Sequence, residues 1–210
     1  FSKIFFFFLN IDIELIFNGY TRYKEMSNIF DFDDLMEFLR NSLRDKPHFR
    51  KRIQEEFQYI MVDEFQDTNV VQKEIVDLLA LKHRNLMVVG DDSQSIYAFR
   101  GANYENILRF PQNFPDCKVV KIEQNYRSNR NILEFTNNII DHAIIGYKKK
   151  LYSDIDSYHL PVIKRFYDAE EEAAFIVSKV LELRESNVPL QEMAVLNRAD
   201  WHNRYIQTEL

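Results

Sequence analysis

A chain of 210 residues has room for one large domain or two small ones, and 46% hydrophobic with 29% charged residues is ordinary globular composition. The formal net charge of −6 excludes a broadly basic, nucleic-acid-coating surface, although a narrow groove that grips single strands by stacking is still compatible with it. The lone Cys117 excludes an internal disulfide and points to a reducing compartment.

The chain opens on Phe1 rather than Met, which hints at a piece of a longer polypeptide, and residues 4–9 (IFFFFL) are conspicuously apolar. Asn10, Asp12 and Glu14 interrupt this run well short of the roughly 20 apolar residues a membrane span needs, so no membrane partner is expected. No small-residue cleavage site follows, so a signal peptide matches poorly. A buried helix start and an ill-defined gene start are the remaining readings of this run.

Residues 11–58 read as helical. Phe32, Leu35, Met36, Leu39 and Leu43 fall close to a 3.6 period, Pro47 marks a break, and residues 49–57 resume as a short helix. From Tyr59 the pattern changes to short apolar strands alternating with helices. Strands are expected at 59–62, 86–89 and 118–122, and helices at 70–82 and about 129–142. This alternation predicts an α/β fold, a parallel sheet with helices flanking its faces. A polar stretch, 146–159, separates this block from a strand at 162–167, a helix at 169–185, a strand at 193–196 and a final helix from Ala199.

Three polar clusters each follow an expected strand: DEFQDTN from Asp63, VGDDSQSIYAFRGAN from Val89, and EQNYRS from Glu123. In a parallel sheet the carboxyl ends of the strands are where ligands bind. Adjacent acids there can divide two tasks, Asp63 holding Mg²⁺ and Glu64 taking a proton from an attacking water. The competing reading is a strand that ends in a solvated acidic turn. The five histidines show no metal-ligand spacing, so a zinc site is not expected. The run Lys148-Lys149-Lys150 reads as a solvated surface.

In order, the three clusters resemble motifs II, III and IV of a superfamily 1A DNA helicase of the UvrD/PcrA/Rep type. DFDDL at 31–35 and MAVLNR at 193–198 extend the similarity, so it covers residues from about 20 to 210. The resemblance implies three regions: a helical segment, 1–58; the C-terminal part of a first RecA-like ATPase domain, 59–122; and the start of a second RecA-like domain, 123–210. It implies ATP and Mg²⁺ as cofactors, with Asp63 on the metal, Glu64 activating water, Gln66 on the nucleotide and Gln94 sensing the γ-phosphate. Arg127 would meet charge on the transferring phosphoryl group, and Tyr126 would stack on adenine. Tyr97, Phe99 and Arg100 would contact single-stranded DNA, with duplex junctions as the substrate. The alternative for the two aromatics is a place in the core. Phe99 stands where the family usually carries Trp, a larger stacking surface.

The resemblance also implies 3′ to 5′ translocation, a part in DNA repair or replication, and a cytoplasmic location (nucleoid-associated if bacterial). A phosphate loop of the form GxxxxGK[ST] is absent from these 210 residues: none of Gly19, Gly90, Gly101 or Gly146 precedes Lys-Ser or Lys-Thr. Two expectations follow. The chain is an internal piece of a complete helicase and inactive as an ATPase in isolation, or it is a truncated, catalytically inactive DNA-binding or interaction module.

Overall fold

Helical periodicity before Tyr59 becomes three helices: α1 (Ser2–Ser27), α2 (Phe32–Asp45) and α3 (Pro47–Glu56). The computed structural model describes residues 2–209, with side chains described for 12–199 and 201–208. Phe1 and the side chains of the apolar run at 4–9 lie outside the described residues, and with them the expectation that this run is buried.

Two local signals shape this region. Asp31 accepts from the Asp34 N–H at 2.9 Å while the Asp34 carboxylate accepts from the Asp31 N–H at 3.0 Å, a reciprocal cap that starts α2. Lys24 ties the end of α1 to that cap, reaching Asp31 at 2.8 Å and Asp34 at 2.7 Å. Pro47 occupies the first turn of α3, where its missing N–H leaves no hydrogen bond unmade. Among the described residues no helix is long and apolar enough to cross a membrane.

The sheet is small. Strand β1 (Ile60–Val62) pairs in parallel with β2 (Leu86–Val88), in the register Ile60↔Leu86, Met61↔Met87 and Val62↔Val88. Parallel neighbours need a crossover, and α4 (Val70–Ala80) supplies it. Asn69 and Gln72 begin α4 with a second reciprocal cap, at 2.8 and 3.0 Å. Both α2 and α3 pack on α4, and Gln54 Nε2 donates to the Leu78 carbonyl at 2.7 Å. Beyond β2 lie two short helices that periodicity does not reveal, α5 (Glu105–Leu108) and α6 (Phe110–Asn113). They seat Ile107 and Phe110 against Phe65, and Val62, Leu86, Val88 and Tyr147 close around that core.

Three of the expected strands do not form ladders. Residues 118–122, 162–167 and 193–196 form no strand, so the structure is helix-rich with a two-stranded parallel sheet rather than the broader sheet the alternation suggests. β-propensity describes fit to a pleated, half-buried surface, and a ladder also needs a neighbouring edge. Residues 118–122 and Leu86, Met87 and Val88 of β2 line a common open groove of about 730 Å³, with no ladder between them. Val162, Ile163 and Leu196 stay exposed.

The chain divides into two units. The first takes the chain up to Gln124 together with Thr136–Tyr152. The second takes Asn125–Phe135 and everything from Ser153 onward. Helix α7 (Arg130–Ile140) follows the third polar cluster. In the second unit, α8 (Ala169–Glu185) is capped by Asp168, whose side chain accepts from the Glu171 N–H at 2.8 Å, and packs on α9 (Asn203–Glu209). Ala173 and Ile206 are its buried apolar contacts.

Candidate active site

The chain turns sharply where β1 ends. Asp63 Oδ1 accepts from the Glu64 N–H at 2.9 Å, and Glu64 sits in the left-handed region at φ 49°, ψ 42°. A residue with a side chain held there costs about 1–2 kcal/mol, and such strain persists only where the surroundings impose it. Here they do. Phe65, 1% exposed, is locked into the core, and its N–H donates to the Val89 carbonyl at 2.9 Å. The short helical turn Phe65–Asp67 then closes with the Thr68 hydroxyl donating to the Phe65 carbonyl at 2.6 Å. Asn106 of α5 secures Thr68 from the other side, donating to its carbonyl at 2.9 Å.

Gln66 joins the two strand ends. Its Nε2 donates to Glu64 Oε2 at 2.8 Å, and its Oε1 accepts from the Asp91 N–H at 3.0 Å. The buried amide therefore fixes the carboxylate of the β1 loop to the backbone of the β2 loop. Gly90 makes this close approach possible: a Cβ there would lie 2.5 Å from Gln66 Oε1, 2.8 Å from Ile107 Cδ1 and 3.2 Å from the Phe65 nitrogen. Gly90→Ala is expected to destabilise the chain by about 1–3 kcal/mol and to displace the Gln66 side-chain amide signals in an NMR spectrum. An unchanged melting temperature with unchanged amide signals would refute that contact.

The β2 loop carries the second group of candidates. Gln94 Nε2 donates to Asp91 Oδ2 at 3.0 Å, leaving its carbonyl oxygen and its second N–H for a ligand. Glu64, Gln66, Asp67, Ser93, Gln94, Ile96 and Tyr97 line a cleft of about 490 Å³. Sequence reasoning gave Asp67 no individual role, yet its Oδ1 is buried and has no hydrogen-bond partner. Hard, unpaired oxygens at Asp67 and at Asp63 Oδ2 suit a hydrated Mg²⁺, which takes one or two carboxylates together with substrate phosphates. No cage of three or more protein ligands occurs among the described residues.

Tyr97, Phe99 and Arg100 form a cluster at the mouth of this loop. The two rings lie 6.0 Å apart, and the Arg100 guanidinium is 5.4 Å from the centre of each. Phe99 is 77% exposed, so the core alternative does not apply to it. The remaining candidates, Tyr126 and Arg127, belong to the second unit. Asn125 shapes their loop, its Oδ1 accepting from the N–H groups of Arg127 at 2.9 Å and Ser128 at 2.7 Å. Tyr126 is 78% exposed, and the Arg127 guanidinium forms no ion pair among the described residues.

Lys148 and Lys150 are exposed, as a solvated lysine run predicts, but Lys149 between them is not. Its side chain is only 15% exposed, and its ammonium contacts both Asp91 and Asp92. Burial pushes the Asp91 carboxyl up, but hydrogen bonds from Lys149 and Gln94 outweigh that and hold it below the usual carboxylate range. Burial pulls Lys149 down, and the two carboxylates overcome that and leave it above the ordinary lysine value.

The chain is thus helix-rich with a small parallel sheet, and Glu64 at the carboxyl end of β1 opens on a cleft shared with the β2 loop. Residues 9–115 match the UvrD/REP helicase N-terminal domain, and residues 120–210 match the UvrD-like helicase C-terminal domain. The chain belongs to the UvrD/REP helicase family. The ATP-dependent DNA helicase PcrA of Leuconostoc citreum is 39% identical over 201 residues, 94% of this chain and 27% of that protein. The ATP-dependent DNA helicase Rep of Buchnera aphidicola is 36% identical over 200 residues, 95% of this chain and 31% of that protein. PcrA of Staphylococcus epidermidis is 37% identical over 200 residues, with 93% and 27% covered. The chain thus spans between a quarter and a third of the length of these relatives.

Proposed function

We propose that this chain is an internal part of an ATP-dependent DNA helicase, contributing the water-activating and metal-holding end of a RecA-like ATPase site and a loop that stacks on single-stranded DNA. The observation that carries the reading is the joining of Glu64, Gln66 and Gln94 around one cleft at the ends of two parallel strands. Asp63 would hold Mg²⁺, with Asp67 in the following turn as a second carboxylate toward its water, and a metal held there would supply positive charge to the nucleotide phosphates. Glu64, kept in place by its left-handed backbone and by Gln66, takes the proton from the attacking water. Gln94 offers its free N–H to the γ-phosphate and its carbonyl to the attacking water, and Asp91 holds its other N–H. Arg127, always charged and planar, stabilises charge on the transferring group, and Tyr126 stacks on the adenine ring.

Tyr97 and Phe99 sit within a few residues of Gln94, so a change at the phosphate reaches the DNA-stacking rings through one short loop. Stacking of this kind contributes about 1–3 kcal/mol per base without sequence preference. Translocation from 3′ to 5′, junction unwinding in repair or replication, and a cytoplasmic, nucleoid-associated setting complete the proposal.

The test uses the longer natural polypeptide that contains these residues. It is expected to hydrolyse ATP faster with single-stranded DNA present and to unwind a duplex carrying a 3′ single-stranded tail. The isolated 210 residues are expected to show no DNA-stimulated hydrolysis, since the GxxxxGK[ST] loop lies outside them. If the longer polypeptide binds DNA without hydrolysing ATP, the chain is an inactive binding module and the proposal fails.

A further inference from the structure

We propose that Lys149 is a positioning residue for Gln94, acting through Asp91 and Asp92 as the pin of a strap, residues 146–149, that closes over the β2 loop. This deepens the proposed function, in that it rests on reading Gln94 as the amide that meets the γ-phosphate.

The strap is built to receive Asp92. The Tyr147 N–H donates to Asp92 Oδ2 at 3.0 Å, and Lys149 Nζ donates to Asp92 Oδ1 at 3.1 Å, so both carboxylate oxygens are taken by one short segment. Gly146 has a φ of +135°, and a Cβ on it would lie 2.3 Å from Asp92 Oδ2. The strap therefore comes so near Asp92 that no side chain fits at Gly146. The Tyr147 hydroxyl anchors the strap at its other face, donating to the Ile107 carbonyl at 3.3 Å.

The same ammonium reaches the catalytic loop. Lys149 Nζ donates to Asp91 Oδ1, which also accepts from the Ser93 N–H at 2.9 Å. Asp91 Oδ2 accepts from Gln94 Nε2. Asp91 and Asp92 are neighbouring carboxylates whose side chains are only 27% and 11% exposed. Without a cation between them they repel each other in a poorly solvated setting, and Asp91 rotates away from Gln94. The lysine thus fixes Asp91, and Asp91 selects the orientation in which Gln94 faces the cleft. Nothing else among the described residues neutralises this pair.

The direct test is the side-chain amide spectrum of the ¹⁵N-labelled 210-residue chain, with the Gln94 resonances assigned by their loss in Gln94→Ala. In Lys149→Met the two Gln94 amide signals are expected to shift and collapse toward free-amide values, while those of Gln54, remote from the loop, hold as a fold control. Lys149→Arg restores the native positions. Unmoved Gln94 signals in a folded Lys149→Met chain overturn the proposal. If that variant does not fold, the unmodified chain decides: the Lys149 ammonium should give a resolved, exchange-protected resonance, and its absence overturns the proposal equally.

In the longer polypeptide, Lys149→Met is expected to lower kcat for ATP hydrolysis about tenfold, with KM for ATP within about twofold, and Lys149→Arg to recover most of the loss. A uniform rise in KM instead would overturn the role assigned to Lys149. A longer polypeptide with no ATPase at all defeats the helicase reading, whereas the amide spectrum still decides what Lys149 does.

Discussion

Glu64→Gln in the longer polypeptide is expected to lower DNA-stimulated ATP hydrolysis by about 10²–10⁴-fold, the range a positioned general base supplies. ATP and single-stranded DNA should bind as before. The substitution is selective because of the local geometry. The introduced side-chain carbonyl can still accept from Gln66 Nε2, so the link between the two strand ends survives while proton affinity is lost. Its left-handed backbone is set by Phe65 and Asp63 rather than by its own charge, so the turn should persist. Phosphate release measured with and without DNA, beside equilibrium binding of a fluorescent nucleotide, separates the outcomes. Hydrolysis within a few-fold of the unmodified protein would remove Glu64 as the base, and a parallel loss of nucleotide binding would assign it to the metal instead.

Much of this site is legible from residues alone, and the exceptions share a physical cause. The adjacent acids after an apolar run locate the end of β1, and Asn69 with Gln72 spells the cap that starts α4. Residues 118–122 carry the same apolar signature and form no ladder, because pairing depends on an adjacent edge that no local pattern encodes. Glu64 gives no hint of its positive φ, since Gly or Asn is the usual occupant of that region. That conformation is imposed by the burial of Phe65 next to it. Lys149 lies 58 residues from Asp91, inside a run that looks solvated, and its role rests on a contact at that separation. Gln66 was legible as a polar group near phosphate. Its second task, holding the Asp91 backbone, follows from the parallel register that brings the two loops side by side.

Phe65→Ala is expected to be the most damaging single change to the fold of the first unit, at about 3–5 kcal/mol. The ring is fully buried, meets Phe110 edge to face at a centroid distance of 5.7 Å, and belongs to a core of few large side chains. A sheet of two three-residue strands has little backbone pairing to compensate, so the cavity falls on the packing between β1, β2, α5 and α6. With a urea slope of about 1–3 kcal/mol/M, the unfolding midpoint should drop by about 2 M. The lone tryptophan, Trp201, lies in the second unit, so its fluorescence is not the reporter; amide exchange at Val62 and Val89 is. Phe114→Ala provides the comparison. Phe114 stacks on Phe110 at 4.7 Å but is only partly buried, so its loss should be clearly smaller. Equal midpoints for the two variants would mean that the core is not centred on Phe65. In that case the account of Glu64 fails with it, since the strained turn is held only as firmly as the ring that follows it.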